Sequence, residues 1–119
     1  MSKSWTPYAR HILDAIAKII RIQERGTLED EVLYAASLRH LQTLSEATQK
    51  LPESLKKEYP AIPWREISGF RNILVHNYLG DIDPLTIQGV IDLHLGPLAQ
   101  AVQALLDQHP DPASTSHPS

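Results

Sequence analysis

The sequence predicts an all-α protein: an up-down antiparallel bundle of four main helices and one short helix. Three observations carry this. Apolar residues recur at three- and four-residue spacing through most of the chain, with no sustained alternation of the kind a strand shows. Thr6-Pro7 and Asp83-Pro84 pair a capping residue with a proline at the first helical position. The connections between periodic segments are short, which favours antiparallel neighbours.

The first helix opens at Thr6-Pro7 and carries Ala9, Ile12, Leu13, Ile16, Ile19 and Ile20 on one stripe. It is expected to reach Glu24 and stop at Gly26. A second helix is expected from Thr27, with Glu29, Asp30 and Glu31 at the positive end of its dipole. Leu33, Ala36, Leu41, Leu44 and Ala47 continue it to Lys50. Pro52 interrupts the pattern and restarts a short helix, PESLKKEY. Pro63 opens the fourth, PWREISGFRNILVHNYL, ending near Gly80. The last runs from Asp83-Pro84 through Leu85, Val90, Ile91, Leu95, Leu98, Val102 and Leu105. Pro97 lies inside it and is expected to kink or split it. Residues 1–108 thus form one helical domain. Residues 109–119, HPDPASTSHPS, have the composition of a disordered tail.

The chain has 119 residues, 42% of them hydrophobic, and no cysteine. That length buries a core without staples. The missing cysteines exclude disulfide scaffolds, thiol catalysis and thiolate metal sites. No apolar run is long enough to span a bilayer. The opening MSKSWTPYAR lacks the apolar core of a signal peptide, so a cytoplasmic protein is expected. Net charge is −3, against a generic nucleic-acid coat. All 11 Lys and Arg lie in residues 1–71, which carry +2, while residues 72–119 carry −5. A polyanionic partner must therefore meet the first part.

The fourth helix holds the informative residues. Turned on an ideal wheel, it places Trp64, Ile67, Phe70, Leu74 and Val75 on a core-facing arc. Arg71 and Tyr78 fall inside that arc. Ser68, Asn72 and His76 fall on the other side. A guanidinium on a core arc needs a partner, because an unpaired buried charge is costly. Glu46, beside Leu44 and Ala47 on the second helix, is the first carboxylate expected to meet it. A subunit neighbour or a bound anion would serve as well; the plainer readings are an arginine reaching to solvent at the bundle end and a structural Arg71–Glu46 pair. His11, His40 and His94 sit on separate helices without ligand spacing and are expected to be surface or structural. No zinc motif or Gly-rich phosphate loop occurs. Trp5 belongs to the loose start of the chain, and Trp64 is expected to anchor the core.

Arg71-Asn72-x3-His76-x-Tyr78, preceded by Pro63-Trp64-Arg65-Glu66-Ile67 and followed by Asp81-Ile82-Asp83, resembles the HEPN superfamily. Within it, the chain resembles the HepT-like toxins of the HepT/MntA toxin–antitoxin type. Leu44-Ser45-Glu46-Ala47 is similar to a family segment that usually reads Gly-Glu-Ala, with Ser45 in place of the glycine. The resemblance spans residues 9–106.

It implies a homodimer with a metal-independent RNase site at the dimer cleft and no cofactor. Arg71 and His76 would be catalytic, and Asn72 and Glu46 supporting or RNA-orienting. A nucleotidyltransferase antitoxin of the MntA type would be the partner, transferring AMP to Tyr78. An RNA substrate, tRNA or mRNA, would face a basic rim of Lys56, Lys57, Arg65 and Arg71, doubled in a dimer. Two other readings compete. One is a non-catalytic HEPN-type subunit that binds substrate for a minimal nucleotidyltransferase, which the acidic last helix favours. The other is a purely structural dimerisation module, for which Arg71 would be dispensable.

Overall fold

A computed structural model of the chain describes residues 5–76 and 82–109, with the backbone only for residues 75 and 76. Five helices follow one another: α1 (Thr6–Gln23), α2 (Glu31–Gln49), α3 (Glu53–Lys56), α4 (Trp64–His76) and α5 (Pro84–Gln108). No strand occurs among the described residues. α2 packs between α1 and α4, and α1 packs on α5. α4 reaches α5 through Phe70 and His94, whose ring centroids lie 6.0 Å apart. Ile12, Ile19, Leu41, Leu44, Ile67, Leu98, Val102 and Leu105 are fully buried and form the centre of the core.

Each helix boundary has a local cause. α1 begins one residue earlier than the sequence suggests: Trp5 occupies the cap position and Thr6 is already helical. Trp5 is not loose. It is buried and meets His109 edge-on at 6.3 Å between centroids. α2 begins later than expected. Thr27 builds a turn, accepting from the Asp30 amide at 3.2 Å through its carbonyl. Asp30 is the true cap, its Oδ1 accepting from the amides of Val32 (2.8 Å) and Leu33 (3.2 Å). Both residues offer a capping oxygen, and the one whose carboxylate reaches two amides wins. Asp30→Ala is expected to lower the unfolding free energy by about 1 kcal/mol, read from urea denaturation.

At α5 the Asp83 cap is where the sequence puts it, its Oδ1 accepting from the Leu85 amide at 2.9 Å. Pro97 does not split the helix, which is continuous from Pro84 to Gln108. Leu93, Gly96 and Pro97 all lie on the exposed face. Water can satisfy the Leu93 carbonyl that loses its donor, and an exposed face leaves room for the slight bend that relieves the ring's contact with that carbonyl. His109 closes α5 and lies 3.1 Å from Glu58; residues 110–119 lie outside the described residues. Trp64 anchors the core as expected, buried, with its indole N–H donating to the Tyr59 carbonyl at 3.0 Å.

α2 is unusual in burying hydroxyls. Ser37, Ser45 and Thr48 are fully covered. Ser45 returns its proton to the Leu41 carbonyl at 2.7 Å, and Thr48 to the Ser45 carbonyl at 2.7 Å. Small side chains let a neighbouring helix approach. The back-bonds spare Ser45 and Thr48 the penalty of an unsatisfied polar group. Ser45 thus fills a glycine-like position while satisfying its own oxygen.

Candidate active site

The groove between α2 and α4 holds Arg71. Its Nε lies 3.3 Å from Glu46 Oε2. The same oxygen accepts from Gln42 Nε2 at 3.4 Å. Arg71 Nη1 donates to the neighbouring Asn72 Oδ1 at 3.5 Å. The sequence puts Arg71 and Glu46 within reach, and the structure brings them together. It corrects the expected burial, because the two side chains are 44% and 45% exposed. The arc margin that holds Arg71 faces the polar edge of α2 rather than its apolar stripe. The guanidinium therefore runs along the groove to solvent. These lengths and exposures make a weak pair, since water competes for both charges. Glu46 aims the fork without consuming it: among the described residues nothing is bonded to Nη2.

Ser68 is a second correction. Rather than facing away from the bundle, it packs on α2. Its hydroxyl lies 3.0 Å from Thr48 Oγ1, and its carbonyl accepts from Gln49 Nε2 at 2.9 Å. The wheel divides apolar from polar positions, but α2 presents hydroxyls and amides here, so a serine suits the interface. Asn72 is exposed, one residue beyond Arg71. The α4 backbone continues through His76. The His76 side chain and Tyr78 lie outside the described residues.

Gln42 and Gln49 escape attention in the sequence. Both act on the site, Gln42 on the Glu46 carboxylate and Gln49 on the α4 backbone. The signal is available: Gln42, Glu46 and Gln49 are spaced four and three apart, a polar ridge along one edge of an apolar helix. Among the described residues no three His, Cys, Asp or Glu side chains gather as a metal-binding group. Nor is any helix among them long and apolar enough to cross a membrane.

Chemically, the groove offers an arginine fork at its mouth, aimed by a carboxylate that is itself held by an amide. Such a fork recognises phosphate oxygens in two-point contact.

Comparison with known proteins bears on what the groove serves. Residues 10–105 match the family model described as ribonuclease HepT-like. A candidate RNase of Caldanaerobacter subterraneus subsp. tengcongensis is 34% identical over 82 residues, covering 66% of this chain and 73% of that one. A candidate ribonuclease HepT of Thermococcus cleftensis is 32% identical over 84 residues, covering 67% and 76%. A candidate RNase of Methanocaldococcus jannaschii is 35% identical over 60 residues, about half of each chain. No solved structure matches the chain significantly.

Proposed function

Because the chain belongs to the ribonuclease HepT-like family, we propose that it is a metal-independent endoribonuclease. It would act in the cytoplasm as a homodimer, with Arg71 and His76 as its catalytic pair. The observation that carries this reading is the Arg71 fork on α4, half exposed and aimed by Glu46, at the head of the sequence Arg-x4-His-x-Tyr.

The residue types suit cleavage of an RNA backbone. A neutral His76 imidazole takes the proton from a ribose 2′-OH. The freed 2′-oxygen attacks the adjacent phosphorus, and the bond to the 5′-oxygen breaks. A protonated imidazole gives that oxygen its proton. The products are a 2′,3′-cyclic phosphate and a 5′-hydroxyl. Arg71 stabilises the charge that builds on the phosphoryl oxygens, and Asn72 orients the strand. In a dimer two copies of His76 supply both base and acid. Ile73, Leu85 and Leu93, which α4 and α5 leave exposed at 51%, 78% and 67%, supply apolar surface for such an assembly. The test is incubation of the purified chain with total tRNA in EDTA. Fragments ending in cyclic phosphate are expected.

The proposed partner is an MntA-type nucleotidyltransferase antitoxin. The Tyr78 oxygen would attack the α-phosphorus of ATP, with pyrophosphate leaving and the phenolic proton passing to solvent. The resulting adenylate would add negative charge and bulk seven residues along the chain from Arg71 and repel an RNA phosphate. Co-expression with such a partner is expected to raise the intact mass by whole adenylate increments, and Tyr78→Phe to abolish the increase. An unchanged mass would remove support for the modification.

A second reading has one observation in its favour. With net charge −3 and an α5 that exposes Asp92 and Asp107, the chain is less basic than most RNA enzymes. A non-catalytic subunit that binds substrate for a minimal nucleotidyltransferase fits that charge. It predicts no cleavage by a well-folded dimer with unmodified Tyr78.

A further inference from the structure

The α2–α4 groove does not end at Arg71. One turn before it on α4, Ser68 meets Gln49, which lies one turn after Glu46 on α2. There the groove opens into a cleft of about 400 Å³ lined by Gln49, Glu53, Lys56, Trp64, Arg65 and Ser68.

Its charges are unevenly satisfied. The Lys56 side chain is only 9% exposed, yet its partner among the described residues is Glu53, at 3.5 Å and 82% exposed. A lysine whose side chain is mostly covered and whose ammonium meets one solvated carboxylate favours a further anion. Arg65, also on the cleft wall, is exposed and has no ion-pair partner among the described residues. Two cations therefore face one carboxylate. The only aromatic lining the cleft, Trp64, is buried and its N–H is committed to Tyr59. The cleft thus offers no platform for a base but does offer donors for a phosphate. Arg65 and Arg71 are six residues apart on one helix, about 9 Å along its axis and about 120° around it, so a strand that meets both passes obliquely across the groove from the cleft to its mouth.

We propose that the Lys56–Arg65 cleft seats a backbone phosphate of the RNA strand flanking the phosphate that Arg71 engages. This rests on the RNase reading for the identity of the strand, and it adds a sequence-independent anchor that fixes how the strand enters.

The test is fluorescence anisotropy of a labelled single-stranded RNA, over a salt series, with the full chain in a His76→Ala background so that cleavage does not intrude. Arg65→Ala and Lys56→Met, the latter keeping the apolar stem, are each expected to weaken binding about five- to tenfold at low salt. Each should flatten the slope of log Kd against log salt by about 0.7, the signature of one lost phosphate contact. Glu53→Gln, which removes the competing carboxylate at an exposed position, is expected to tighten binding. Urea midpoints verify that each variant is folded. Unchanged affinity and slope in folded Arg65→Ala and Lys56→Met overturn the proposal, as does a parent that binds no RNA. Parent cleavage is scored separately. A chain that binds through Lys56 and Arg65 without cleaving retains the anchor and loses the RNase reading. A chain that cleaves but ignores both substitutions keeps the RNase reading and loses the anchor.

Discussion

His76→Ala is expected to abolish tRNA cleavage in EDTA while leaving the helical fold intact. The parent should cut tRNA under the same conditions, and the variant should fall by roughly 10²–10⁴-fold, the usual worth of a positioned general acid–base. In a dimer one substitution removes both copies, base and acid together, so the upper end of that range is expected. The measurement is single-turnover cleavage on a sequencing gel, with circular dichroism beside it. Cleavage by neither protein, from a folded dimer whose Tyr78 carries no adenylate, would favour the binding-subunit reading. Cleavage by both would remove His76 from the site.

Arg71→Ala separates catalysis from stability. A preorganised donor to a developing oxyanion is worth about 10²–10³ in kcat, and a loss of that size is expected. The Arg71–Glu46 pair is long and half exposed, so the unfolding free energy should change by less than about 1 kcal/mol. Arg71→Lys restores the charge but not the fork and should recover little activity. A dimerisation module predicts the opposite: activity, if any, indifferent to all three, with only the small stability change. Urea denaturation and cleavage rates on the same preparations distinguish them.

Much of this architecture is legible in the residues themselves. The stripe Ala9–Ile12–Ile16–Ile19, the Asp83-Pro84 start and the core role of Trp64 follow from periodicity and capping chemistry alone. What is not legible depends on tertiary surroundings. Thr27 and Asp30 are equivalent as letters; only the path of the chain leaving α1 decides which oxygen meets two amides. Pro97 removes one helix bond and crowds the Leu93 carbonyl wherever it sits, but α5 places it on the exposed face, where water replaces the bond and the helix runs on. A helical wheel places Arg71 and Ser68 from their own helix alone. Their surroundings are set by α2, whose edge carries Gln42, Glu46, Thr48 and Gln49 rather than hydrocarbon. The Arg71–Glu46 pairing could be anticipated because it needs only proximity. The exposure of that pair could not, because it depends on how far two helices leave the groove open.

The hydroxyls buried on α2 carry a consequence for how this protein tolerates change. Ser45 and Thr48 are fully covered; Ser45 lies next to Glu46, and Thr48 meets Ser68 across the helix pair, so Thr48 helps to set the distance between the two helices that flank the candidate groove. Added bulk at Thr48 would wedge those helices apart, and a small separation is enough to take Glu46 out of reach of a guanidinium already 3.3 Å away. Sensitivity to substitution therefore runs inward from the groove, through positions with no chemistry of their own, and the spacing of two backbones becomes as much a part of the candidate site as the charges mounted on them.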